Sequence, residues 1–170
     1  MHSKNILHRD IKSQNIFITK TGILKLGDFG IAKQLESTML TGTITGTPYN
    51  MAPEVCAGKK YDSKADVWSI GVILYELITL KKPFDGDNVQ DLFKAIIHKA
   101  LDPLPSDVDS DLRMLTGAML NKDHNKRPDL FEISKMPCVK KAIMKFVEEN
   151  QCRDEVLGLL EYNLEETKTP

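Results

Sequence analysis

His8-Arg9-Asp10 is followed, after four intervening residues, by Asn15, and Asp28-Phe29-Gly30 begins 18 residues beyond Asp10. Carboxylates and an amide at this spacing suit the transfer of a phosphoryl group to a hydroxyl. That reaction needs a carboxylate to orient the attacking hydroxyl and take its proton. It also needs oxygen ligands for the hard cation, Mg²⁺, that neutralises the nucleotide phosphates. Asp10 suits the first role, and Asn15 and Asp28 suit the second. Lys12, two residues past Asp10, can steady the transferring group as a point charge.

For these groups to meet, the chain between them must reverse. Ile16-Phe17-Ile18, then Lys20-Thr21-Gly22, then Ile23-Leu24-Lys25-Leu26 read as two short strands around a glycine turn. Such a hairpin brings Asn15 and Asp28 to one side of a cleft. Over 27–54 there is little apolar periodicity, and Thr recurs at 38, 41, 43, 45 and 47, which marks a long loop of the kind that is usually functional or disordered. Asp62 or Ser63 can cap a helix over about 64–80, where Val67, Trp68, Val72, Ile73 and Leu77 run nearly all the way round. That pattern predicts a helix at the centre of a core. Asp87 with Gln90 reads as a capping-box variant opening a helix that ends near Lys99, and Leu112, Leu115 and Met119 mark another after Asp109. Both are predicted to be amphipathic and peripheral. Beyond Pro137, Val139, Ile143, Phe146 and Val147 recur at helical spacing, and a further apolar cluster runs over 156–164.

Gly46-Thr47-Pro48-Tyr49-Asn50-Met51-Ala52-Pro53-Glu54 closes the loop that Asp28 opens. With this third landmark the chain resembles the serine/threonine protein kinases, in which Lys12 and Thr47 are the residue types that distinguish the class from tyrosine kinases. The stretch 62–69, Asp62-Ser63-Lys64-Ala65-Asp66-Val67-Trp68-Ser69, resembles the start of that family's central helix, and Lys126-Arg127-Pro128 its arginine segment. The resemblance implies that Asp66 braces the catalytic loop, that Arg127 pairs with Glu54, and that Thr47 hydrogen-bonds toward Asp10 and Lys12. The phrases over 2–17 and 25–32, with Ser13-Gln14 where many kinases have Pro-Glu, look most like the NIMA-related kinases. Asn50, where an aromatic is usual, and His124, where Pro is common, depart from that pattern.

A lone Asp-Phe-Gly arises by chance, and Phe29 by itself reads as a core residue; the ordered set Asp10, Asn15, Asp28, Glu54 carries the argument. For His8 the plain packing role and the family's role coincide, a spine residue behind Phe29 with no part in proton transfer. Arg9, Gly30, Glu54, Asp66 and Arg127 are likewise expected to be structural. The threonine run reads as solvated loop, except that Thr43 lies four residues before Thr47, at the position where NIMA-related kinases are activated by phosphorylation. Arg9 and Lys33 are suitable partners for a phosphate there, with Thr41 and Thr45 as rival acceptors.

The remaining composition narrows the setting. With 23 Lys and Arg against 24 Asp and Glu the net charge is −1, which gives no electrostatic footprint for nucleic acid or an anionic membrane. Three widely spaced cysteines, Cys56, Cys138 and Cys152, make neither a disulfide framework nor a metal site, so a reducing, cytoplasmic setting is expected, with nuclear or cytoskeletal association open. No two of the ten glycines are spaced as a phosphate-covering Gly-x-Gly, and no strand lysine precedes the catalytic loop.

The expected fold class is therefore α+β and mainly α: a protein-kinase-like C-terminal lobe with a short β-hairpin and no N-terminal lobe over 1–137, then a helical extension over 138–170. The expected cofactors are ATP and Mg²⁺, and the expected partners are a protein with a Ser or Thr acceptor and a missing lobe or completing partner. The isolated chain is expected to be inactive. The competing readings are a noncatalytic interaction module and a small-molecule phosphotransferase. The intact Asp10, Lys12, Asn15 and Asp28 weigh against the first, and the peptide-docking segment over 47–54 weighs against the second.

Overall fold

The computed structural model describes residues 1–2, 6–27 and 48–150. Ile16–Ile18 (β1) and Leu24–Leu26 (β2) pair antiparallel, with Ile16 opposite Leu26 and Ile18 opposite Leu24. Gly22 sits at φ +82° in the connecting turn, a conformation open to glycine without steric cost. A single 3₁₀ turn, Ser13–Asn15, leads into β1. The Gly27 amide then donates to the Asn15 carbonyl at 2.9 Å and closes the base of the hairpin.

The loop anticipated over 27–54 ends in a short helix, Pro53–Cys56 (α1), with Pro53 in the first turn, where its missing N–H costs nothing. Ser63–Thr79 (α2) is the central helix. Asp62 caps it by accepting from the Lys64 amide at 2.9 Å, and Ala65, Val67, Trp68 and Val72 are wholly buried. Gly71 allows a close approach: a Cβ there would lie 2.9 Å from Met119 Cβ and 3.1 Å from the Leu120 side chain. Val89–His98 (α3) starts one residue later than Asp87 would have it. Its cap is Asn88, which accepts from the Asp91 amide at 2.9 Å and donates to the Asp91 carboxylate at 2.7 Å. Ser110–Met119 (α4) is capped by Asp109. Helix α4 packs on α2 and α3 on α1, with Leu92 and Ile96 buried from α3 and Thr116 and Met119 from α4.

At the centre, Trp68 stacks on Phe84 with ring centroids 5.8 Å apart and planes within 11°. The Arg127 guanidinium lies 5.0 Å from the indole, and Lys122 Nζ lies 4.4 Å from the Phe84 ring while donating to the Ala95 and Ile96 carbonyls near the end of α3. The chain divides into one unit from Met1 to Pro128 and a second that begins at Asp129. The second holds Leu130–Ser134 (α5) and Pro137–Asn150 (α6), packed on each other. Helix α5 opens on a capping box between Asp129 and Glu132 that periodicity alone did not reveal, its helix being too short to show a repeat. In α6, Val147 is buried but Phe146 is 42% exposed. The apolar cluster over 156–164 lies outside the described residues, and no described helix is long and apolar enough to cross a membrane.

Candidate active site

Asp10 sits on the segment between the buried His8 and the 3₁₀ turn at Asn15. Both neighbouring polar side chains reach the same oxygen: Lys12 Nζ lies 2.7 Å and Asn15 Nδ2 3.0 Å from Asp10 Oδ2. Asn15 Nδ2 also donates to the Asp10 carbonyl at 2.8 Å. Two consequences follow. No described residue donates to Asp10 Oδ1, which leaves that oxygen to receive a proton from an incoming hydroxyl. Asn15 must turn its N–H groups toward Asp10, because both acceptors lie there, so its carbonyl oxygen Oδ1 faces away with no donor among the described residues. A buried amide oriented in this way suits a hard cation, and it is the observation by which this chain fits Mg²⁺. Asp28, the other expected ligand, lies outside the described residues, as do Phe29, Gly30, Lys33, Thr43 and Thr47.

The Asp10 segment hangs from α2 by one carboxylate. Asp66, fully buried, accepts from the His8 amide at 2.9 Å and the Arg9 amide at 3.0 Å. Two successive amides converge on it because Arg9 adopts φ +66°, a left-handed conformation that a non-glycine residue takes at a cost. His2 Nε2 at 2.8 Å and the Tyr61 hydroxyl at 2.6 Å complete its shell. Burial pushes the Asp66 carboxyl up, but the bonds from His2, Tyr61, His8 and Arg9 outweigh it and hold the group below its ordinary value. Tyr61 shifts the opposite way: burial first, then the Asp66 charge and hydrogen bond, keep its hydroxyl protonated. His8 is buried, with Nε2 2.9 Å from the Gly27 carbonyl and the Asp10 amide 3.4 Å from Nδ1. Together these contacts place the proton on Nε2 and make His8 a tie between the Asp10 segment and the end of the hairpin.

Glu54 and Arg127 meet in a buried bidentate pair, NH1 to Oε1 at 2.7 Å and NH2 to Oε2 at 2.9 Å. Arg127 also donates to the Lys64 carbonyl at 2.9 Å and the Asn121 carbonyl at 3.0 Å, so its fork is satisfied on three sides. The pair fastens α1, through Glu54, to the start of α2. Next to it, the Ser69 hydroxyl donates to the Asn50 carbonyl at 2.8 Å. Sequence reasoning did not find His2 and Tyr61 on Asp66, or the contacts of Asn50: His2 and Asn50 meet partners 64 and 19 residues away, and Tyr61, five residues before Asp66, belongs to no period that announces it.

A carboxylate with one oxygen that no described residue reaches, an oriented amide beside it and a lysine on the other oxygen have the chemistry that phosphoryl transfer needs, and they sit on a mainly helical lobe with a two-stranded hairpin. Comparison with known proteins gives the family: the family model for the protein kinase domain matches residues 1–139, and the chain belongs to the protein kinase family. It is 42% identical over 151 residues to putative serine/threonine-protein kinase A of Trypanosoma brucei brucei, covering 87% of this chain and 35% of that one. Against Nek1 of Mus musculus it is 44% identical over 148 residues (86% and 12%), and against Nek5 of Homo sapiens 41% over 162 residues (94% and 23%). The similarity is thus to serine/threonine kinases, many of them NIMA-related. The chain spans about a third or less of the length of these relatives.

Proposed function

We propose that this chain supplies the catalytic base and the metal-binding wall of a serine/threonine protein kinase that transfers the γ-phosphate of ATP to protein acceptors. The single observation that carries the proposal is the Asp10–Asn15–Lys12 constellation, in which no described residue donates to Asp10 Oδ1 or Asn15 Oδ1 while the remaining atoms lock one another. Asp10 orients the acceptor hydroxyl and takes its proton, and Lys12 steadies the transferred group. Asn15, with Asp28, would hold Mg²⁺, which would supply charge neutralisation on the phosphates. Thr47 borders the acceptor, and Thr43 is the phosphorylation site that orders the activating segment. A reducing compartment, the cytoplasm, suits the free Cys56 and Cys138.

The chain alone is inactive on this proposal, because no two of its ten glycines are spaced as a phosphate-covering Gly-x-Gly. Phosphate transfer from ATP to a Ser- and Thr-containing protein tests both parts, measured with the full-length gene product and with the 170-residue chain. The expected result is activity of the full-length product that Asp10→Ala abolishes, and none from the chain. A full-length product without activity overturns the kinase reading. A robust rate from the chain that Asp10→Ala removes overturns the inactivity.

A further inference from the structure

The connection between α3 and α4 carries a serine in an acidic setting. Ser106-Asp107-Val108-Asp109-Ser110-Asp111 places carboxylates one, three and five residues after Ser106. Ser106 and Asp107 are the central residues of a turn that the Val108 amide closes on the Pro105 carbonyl at 3.2 Å, and both are exposed. Arg113, in the first turn of α4, reaches back to this turn, and its Nη1 donates to the Ser106 carbonyl at 2.7 Å. Among the described residues that carbonyl is its hydrogen-bond partner, and no carboxylate is ion-paired with it. The nearby aspartates are occupied elsewhere or turned away: Asp109 accepts from the Asp111 and Leu112 amides as the cap of α4, and Asp102 pairs with Lys99 at 3.4 Å. The guanidinium therefore holds a charge that no described side chain cancels.

Covalent geometry keeps Ser106 Oγ within about 5 Å of its own carbonyl oxygen, the atom that Arg113 already grips. A phosphoryl group on that hydroxyl meets the guanidinium by rotation about one side-chain bond. There is room for it. Ser106 and Arg113 line one open cavity of about 530 Å³ with Leu101, Pro103 and Leu104, and a Cβ at Gly117 on the same wall would meet nothing within 4 Å. We infer that Ser106 is a phosphorylation site for a separate serine kinase whose substrate groove is basic, and that Arg113 receives the phosphate. The carboxylates of Asp107, Asp109 and Asp111 supply the charge that complements such a groove. In the transfer, Ser106 Oγ bonds to the γ-phosphorus of ATP and the bond from that phosphorus to the β,γ-bridging oxygen breaks. ADP leaves, and the hydroxyl proton passes to the base of the modifying kinase. Ser110 is the lesser acceptor, because it opens α4 with helical backbone and has Arg113, not a carboxylate, three residues beyond it. Once in place, the phosphate is repelled by Asp107 and Asp111, and the charge-assisted pair with Arg113 outweighs them and ties the turn to α4.

The test uses the full-length gene product, dephosphorylated and carrying Asp10→Ala so that its own proposed transfer adds nothing. It is treated with ATP and an acid-directed serine kinase, and the phosphate is located by fragmentation mass spectrometry. Ser106 is expected to be the main acceptor over 99–111, and Asp107→Asn should slow incorporation there about three- to fivefold, the worth of one exposed charge pair. Phosphorus NMR then reads the receiver. The phosphoserine signal that Ser106→Ala removes belongs to Ser106. Its second ionisation should fall about half a pH unit lower than in Arg113→Gln. Arg113→Lys keeps the cation and should titrate nearer the wild type, which separates the charge from any loss of packing. Absence of phosphate at Ser106, or incorporation at Ser110 in its place, overturns the site. Equal titration with Arg113 and with Arg113→Gln overturns the pairing and the inference with it. Neither outcome bears on phosphoryl transfer at Asp10.

Discussion

Arg127 holds Glu54 across 73 residues of sequence in a two-pronged ion pair, and both side chains are removed from water. A buried pair of this kind is strongly destabilising when broken on one side, because the remaining charge is left without a partner. Arg127→Met is expected to lower the unfolding free energy by about 3–5 kcal/mol in urea denaturation. The joint replacement Glu54→Leu with Arg127→Met should cost clearly less than the sum of the two single changes. Strict additivity would mean that the two residues do not act as a unit.

Asp66 gives the protein an acid limit. Its carboxyl lies below the ordinary value of 3.8 in the folded chain, held there against burial by His2, Tyr61 and the His8 and Arg9 amides. The unfolded chain therefore binds the proton first as pH falls. The stabilisation is fully present above pH ~4 and is lost as pH drops through the depressed folded value. Asp66→Asn should remove this part of the acid dependence, and at neutral pH should cost about 2–4 kcal/mol by leaving buried donors unmatched. Equal slopes for the variant and the wild type between pH 5 and 2, read from urea midpoints, would contradict the assignment.

Much of this architecture is written in local patterns. The hairpin over 16–26, the capping aspartates Asp62 and Asp109 and the all-round apolar surface of the central helix each follow from a period or a turn signal that a short window contains. Proximity of Asp10, Lys12 and Asn15 is local as well, since they lie within six residues. The links between Asp66 and His8, and between Glu54 and Arg127, came through family resemblance, because pairs 58 and 73 residues apart leave no trace in spacing. His2 and Tyr61 on Asp66, and the left-handed residue that ends α2, were legible in neither way. His2 lies 64 residues from Asp66, and Leu80, at φ +56°, gives no glycine signal for the turn it makes.

Leu80 is the place where stability should be easy to add. An L-residue in the left-handed region carries about 1–2 kcal/mol of strain, and this side chain has almost no packing to lose. Leu80→Gly relieves that strain but adds about 0.5–1 kcal/mol of backbone entropy to the unfolded chain. The net expectation is a gain of about 0.5 kcal/mol, seen as a rise in thermal midpoint. A lower midpoint would show that the leucine makes a stabilising contact after all.

Trp68 is the one tryptophan in the sequence, and it lies against both the Phe84 ring and the Arg127 guanidinium that grips Glu54. The protein thus carries a single native indole fluorophore at the junction of its core and its Glu54–Arg127 latch. Its emission reports one location rather than an average over many. Loosening of the latch would register as a change in quenching by the neighbouring cation while the indole is still dry, and global unfolding would register as a red shift when water arrives. Those two optical events allow local release and collapse of the whole domain to be timed separately without attaching a label.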